Sequence, residues 1–162
     1  DVYKRQLITL HGRFPDSRFK GNADWDAVEM LKSELDIPVV GNGDVVDVET
    51  ARRRFADTGC DAIMLGRGIL GRPWLVGSII SQLEGGRPIN PSNVEVCDLL
   101  FDMATMKLED KGDRHSSLEM RYLFAKFLKG RGTPRTLWNR SIRVNSYEDT
   151  LMVLDELRRV IG

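Results

Sequence analysis

The chain has 162 residues, 41% hydrophobic and 30% charged, and its 24 basic residues are matched by 24 acidic ones. This composition excludes a disordered polypeptide, and the length suits one ordinary domain or a small domain with an appendage. The formal net charge of zero gives no sign of a nucleic-acid partner in the total, although a total can hide a local patch. The two cysteines, Cys60 and Cys97, are too far apart for a disulfide framework or a metal motif. They read as small buried residues in a reducing, cytoplasmic setting. No apolar stretch approaches the ~20 residues of a membrane span, and no signal peptide is visible.

Residues 1–6, DVYKRQ, set Lys4, Arg5 and Gln6 directly against a strand-like run with no turn signal between. They read as a non-native leader and are left out of the fold reasoning. LITLHG (7–12) predicts a short buried strand. ADWDAVEMLKSEL (23–35) predicts a helix with Trp25, Val28, Leu31 and Leu35 on one stripe. IPVVGN (37–42) predicts a second strand. VETARRRFADTG (48–59) predicts a helix with Ala51, Phe55 and Ala56 inward and a stop at Gly59. DAIMLG (61–66) predicts a third strand, and PWLVGSIISQLEGG (73–86) a third helix that starts at Pro73. Strand and helix alternating three times is the rhythm of a parallel sheet, whose strands are expected to be apolar on both faces. Three such units do not close a barrel, so an incomplete domain is expected.

After the Gly/Pro/Asn-rich stretch GGRPINPSN (85–93), of which 87–93 reads as a linker, the rhythm changes. Residues 94–112, 116–130 and 146–162 predict amphipathic helices. The first carries Val96, Leu99, Leu100, Met103 and Met106 on a stripe, and the last opens on a Ser146/Asp149 capping-box pattern.

In βα folds the chemistry gathers where strands end. Here the three strand ends carry His11-Gly12-Arg13, Gly41-Asn42-Gly43-Asp44 and Gly66-Arg67-Gly68. Glycines let backbone N–H groups approach an anion, and an arginine supplies charge. A tight turn explains any one of these loops. Two in succession, preceded by His-Gly-Arg, favour a phosphate site. His11 could donate a hydrogen bond to a cofactor ring or to phosphate. No metal cluster, Walker loop or nucleophile elbow is present.

The helical half holds a second signal. Between Arg114 and Arg143 stand eight basic residues and a single acid, Glu119, a formal charge of +7. Tyr122, Phe124, Phe127 and Trp138 are interleaved among them. Such a stripe suits RNA, and it suits equally a solvated face beside a helix core.

The combination is more specific than its parts. LITLHGRF, GNADWDAV, IPVVGNGDV and TGCDAIMLGRGILGRPWL, in this order and spacing, resemble the tRNA-dihydrouridine synthase family. MRYLFAKFLKG and IRVNSYEDTLMVLDEL are similar to its helical domain, more loosely. The resemblance covers 7–162 and implies an α/β fold, the C-terminal portion of a TIM (β/α)8 barrel at about strands six to eight, followed by an all-helical tRNA-binding domain.

The resemblance implies a flavin enzyme. NADPH reduces FMN, the flavin passes hydride to uracil C6 in tRNA, and a cysteine acid protonates C5. It gives His11 a flavin contact, Asn42, Gly43 and Asp44 the ribityl-phosphate end, and Gly66 and Arg67 the phosphate. Arg13 falls on the substrate side. Lys126, Lys129, Arg131, Arg140 and Arg143 become the candidates for tRNA phosphate contacts. The full enzyme is expected to be a monomer with no membrane or metal partner. The family's catalytic cysteine and its strand-five lysine have no counterpart here, so the chain reads as a fragment that is inactive alone and binds FMN weakly at best. Two rivals remain: another phosphate-binding βα-barrel enzyme, such as a different FMN oxidoreductase, and a non-catalytic RNA-binding module.

Overall fold

Three short strands form the centre of the first half: β1 (Ile8–His11), β2 (Val39–Asn42) and β3 (Ala62–Met64). They come from a computed structural model that describes residues 5–13 and 21–162, so residues 1–4 of the expected leader lie outside the described residues. The strands are parallel in the order β1-β2-β3, with Ile8 opposite Val39 through His11 opposite Asn42, and Val40 opposite Ala62 through Asn42 opposite Met64. Parallel neighbours need a crossover, and helices supply it. α1 (Asp26–Glu34) joins the first pair and α2 (Val48–Thr58) the second. A 3₁₀ turn at Arg67–Ile69 and α3 (Leu75–Leu83) follow β3.

The expectation of strands apolar on both faces is corrected. Alternation sends Leu10, Val39, Gly41 and Ile63 toward the helices, where Trp25, Val28, Ala51, Cys60, Leu75 and Ile79 form the buried core. The other face carries Thr9, His11, Val40, Asn42, Ala62 and Met64. Of these, Thr9, His11, Ala62 and Met64 are exposed. Half of that face is polar, so it is not a surface made only for apolar burial.

Local chemistry sets the element ends. α1 begins three residues later than the sequence suggests because the preceding residues are tied to loops. Asp24 N–H donates to Gly12 O at 2.5 Å, Ala23 N–H donates to the Asp44 carboxylate at 2.8 Å, and Asp24 Oδ1 caps Ala27 N–H at 3.1 Å. α2 opens on a reciprocal capping box between Asp47 and Thr50 and stops at Gly59, whose φ of 62° is left-handed. Ala56, expected inward, is exposed, and Thr58 is buried in its stead. At the start of β2, Asp61 accepts from Val39 N–H at 2.7 Å and from Lys32 Nζ. Asp61 N–H in turn donates to Val39 O at 2.9 Å, so the staple pins the start of β3 to that of β2.

Residues Asp1–Ile89 and Asn90–Gly162 are two compact units. The second is wholly helical: α4 (Asn93–Phe127), α5 (Arg135–Ser141) and α6 (Tyr147–Ile161). α4 breaks at Gly112 (φ 73°, ψ 172°) into arms 93–111 and 113–127. These arms are the two helices the sequence separates. Val96, Leu100, Met120, Phe124, Leu128, Leu157 and their neighbours make its core. Met106, expected on the inward stripe, is 67% exposed. α5 was not anticipated, since seven residues within a basic run give too short a period to recognise. Ser146 does cap Asp149 N–H, but the Asp149 side chain returns to Asn145 N–H instead of completing the box. Among the described residues no helix is long and apolar enough to cross a membrane.

Candidate functional site

Register brings the three strand ends level, and their loops enclose an open cleft of ≈ 290 Å³. His11, Asn42, Gly43, Asp44, Gly66 and Arg67 all line it. Val45, Val46, Met64, Gly68 and Arg72 complete the lining. His11 reaches it from the open face of the sheet, with ring Nδ1 3.2 Å from Asn42 O. The Asn42 amide donates to Met64 Sδ at 3.4 Å.

Asp44 is the electrostatic centre of the loop. Arg13 grips it with Nη2 at 2.6 and 2.5 Å from the two carboxylate oxygens, and Arg67 Nη2 lies 3.2 Å from Oδ1. The Arg13 hydrogen bond, helped by Ala23 N–H and by the charges of Arg13 and Arg67, holds the Asp44 carboxyl below its ordinary range against the opposing effect of burial. Asp44 has φ 53°, a left-handed value that aspartate tolerates better than most side chains. Arg13 was expected on the substrate side. Its side chain is only 6% exposed and is engaged with Asp44.

The glycines divide by cause. A Cβ at Gly41 would sit 2.4 Å from Trp25 Cζ3, and one at Gly68 would sit 2.5 Å from Val45 O. Those two make room for the protein's own packing. Gly43 combines φ 140° with a 2.5 Å approach to Ala23 Cβ. Gly66 differs, because a Cβ there would meet only Asn42 Oδ1 at 3.9 Å. Its open side belongs to the cleft. Trp25, which the sequence marked only as core, also donates Nε1–H to Gly43 O at 3.0 Å and lies under Arg54, whose Cζ is 5.1 Å from the ring centroid. Arg72 was also missed. It sits beyond the Gly-Arg-Gly signal, where only the 3₁₀ turn returns it to the cleft.

In the helical unit the basic candidates separate. Lys126, Lys129, Arg140 and Arg143 are exposed. Lys126 Nζ lies 5.3 Å from the Tyr122 ring centroid, and Arg140 pairs with Glu156. Arg140 and Arg143 line a second cleft of ≈ 270 Å³ with Thr136, Asn139 and Asp149. Arg131 is half-buried, donates to Asn93 Oδ1 at 2.9 Å, and has its pKa pulled down by burial. Cys60 and Cys97 are both buried, and burial pushes the Cys97 thiol up.

Residues 5–159 match the family described as Dihydrouridine synthase (Dus). A "Probable tRNA-dihydrouridine synthase" of Mycobacterium tuberculosis (strain CDC 1551 / Oshkosh) is 32% identical over 152 residues, covering 93% of this chain and 39% of the relative. Another of the same name from Rickettsia conorii is 40% identical over 98 residues, 60% of this chain and 30% of the relative. A "tRNA-dihydrouridine synthase B" of Shewanella oneidensis is 42% identical over 87 residues, 54% and 27% of the two chains. The chain thus spans well under half the length of each of these relatives.

Proposed function

Because the chain belongs to the dihydrouridine synthase family, we propose that it contributes the phosphate end of an FMN site and an RNA-binding surface to the NADPH-dependent reduction of uridine in tRNA. The observation that carries this reading is the convergence of His11, Asn42, Gly43, Asp44, Gly66 and Arg67 from three strand ends on one cleft. Their chemistry suits a phosphate-bearing ligand. Arg67 and Arg72 supply positive charge at the rim, and the open Cβ direction of Gly66 leaves space against the backbone. When bound, FMN would supply the two-electron hydride chemistry that no side chain can.

The chain's own residues bind and orient. Arg67, whose side chain is 55% exposed, would meet the phosphate, and Gly66 would let it approach. His11 and the Asn42 amide, level across the sheet, would hold the ligand's polar groups along the open face. Neither cysteine suits the proton donor that the reaction needs, since both are buried. Lys126, Lys129, Arg140 and Arg143 would neutralise RNA phosphates from the helical unit, whereas Arg131 supports that unit from within.

Titrating the chain with FMN and with riboflavin, followed by quenching of flavin fluorescence, tests the cleft. FMN should bind more tightly, and Arg67→Gln should remove most of that preference, about tenfold for one lost charge-assisted hydrogen bond. Equal binding of the two flavins, or a preference that Arg67→Gln leaves intact, would refute the assignment.

A further inference from the structure

A carboxylate in a site for an anion needs an explanation. Asp44 lines the cleft beside Arg67, yet its two oxygens are already engaged by Arg13, Arg67 and Ala23 N–H. It has no proton to donate, because the Arg13 guanidinium keeps its carboxyl ionised. A direct bond from this side chain to a phosphate would set two anions together. Arg13 and Arg67 both face this one carboxylate, so its negative charge is met from two sides.

We propose that Asp44 and Arg13 are positioning residues of the anion site: Asp44 fixes the Arg67 guanidinium at the cleft, and Arg13, buried behind it, offsets the charge of Asp44 without touching ligand or RNA. This rests on the FMN reading above and deepens it. The geometry is specific. Arg13 takes both oxygens of Asp44 from the core side, and Arg67 takes one from the cleft side. Ala23 N–H holds the remaining direction of Oδ2 at 2.8 Å. Removing Arg13 would take away the closest charge that offsets Asp44 and leave the carboxylate to draw more strongly on Arg67.

The sign of the effect separates this role from others. If Asp44 were a tolerated bystander, Asp44→Asn would remove a repulsive charge and strengthen FMN binding. As a positioning residue it does the opposite. Asp44→Asn, chosen because asparagine accepts the left-handed backbone, and Arg13→Gln should each lower the ratio of FMN to riboflavin affinity about tenfold, with riboflavin binding unchanged. Neither should lower it further in an Arg67→Gln background, since all three act through one guanidinium. Circular dichroism of each variant shows whether the fold is kept, and Arg13→Lys, which retains the charge, should recover part of the ratio. The inference is overturned if Asp44→Asn raises or preserves the ratio. It also falls if the losses multiply with Arg67→Gln, or if Arg13→Gln weakens tRNA binding and leaves the ratio alone. In each of those cases wild type still prefers FMN and Arg67→Gln still removes most of the preference. A wild type without any preference removes the FMN reading itself, and this inference with it.

Discussion

Trp25 shows how a residue that reads as plain core can govern a site. Its ring fills the space that Gly41 leaves, and its Nε1–H holds Gly43 O at 3.0 Å. Trp25→Phe keeps most of the packing and leaves that carbonyl without this donor, so urea unfolding should show a loss of about 1 kcal/mol. Gly41→Ala should cost more, about 1–3 kcal/mol, because its Cβ overlaps the indole. The strand-end glycines were legible in the sequence as a set, but their separate causes were not. Gly41 looked like clearance for a ligand, and only the start of α1 packed against it shows that it is clearance for Trp25. The Arg13–Asp44 pair was hidden for the same reason, since the two lie 31 residues apart. Asp44 also makes a prediction about acid. Its folded pKa is lowered, chiefly by the Arg13 hydrogen bond, so it stabilises the fold above the unfolded carboxyl pKa of about 4. That contribution is lost as pH falls through the folded value. Asp44→Asn should therefore flatten the acid limb of the stability curve and change its shape little above pH ~5.

At the scale of elements, the hydrophobic periods and the glycine stops placed eight of the nine strands and helices among the described residues, and α5 escaped because one buried pair, Leu137 and Ser141, is all the periodicity it has. The two working capping boxes, Asp47/Thr50 and Ser92/Glu95, were overlooked, while the one anticipated at Ser146 is only half formed. Gly112 is where α4 turns. Its φ of 73° and ψ of 172° lie in a region almost confined to glycine. Gly112→Ala should lower the melting temperature of the helical unit, consistent with about 1–3 kcal/mol of backbone strain. Unchanged melting would mean that the bend is not needed. Across this bend Glu119 takes Lys107 from one side and Lys111 at 2.5 Å from the same arm. These lysines hold the Glu119 carboxyl down at about 2, with the Lys107 hydrogen bond the larger cause. Their stabilisation is present above the ordinary glutamate value of 4.5 and disappears toward pH 2. Glu119→Gln should thus differ from wild type at neutral pH and converge with it in strong acid.

For the whole molecule, the fold divides between Ile89 and Asn90. Net charge concealed more than it revealed. A total of zero hid a stretch of +7, and that stretch in turn hides a split between structural and exposed cations. Arg121 serves Val144 O and Asn145, and Arg131 serves Asn93. Lys129 and Arg143 stand exposed. Measured against tRNA over a range of salt, Lys129→Gln and Arg143→Gln should each reduce the slope of log affinity on log salt by about 1. Arg131→Gln should instead lower stability and leave the slope nearly unchanged. A slope insensitive to both surface substitutions would remove the helical unit from the RNA interface.

The close fit of Trp25 over Gly41 has a further consequence, for inheritance. The two positions act as one locus split across 16 residues of chain. A side chain at 41 is tolerable only after the indole has gone, and loss of the indole leaves a hollow until 41 is filled. Either first step is harmful, so the pair should be frozen together or exchanged together. In a library randomised at both positions and selected for folding, the survivors should be Trp with Gly, or a smaller residue at 25 with Ala or Ser at 41, and seldom a mixture of the two.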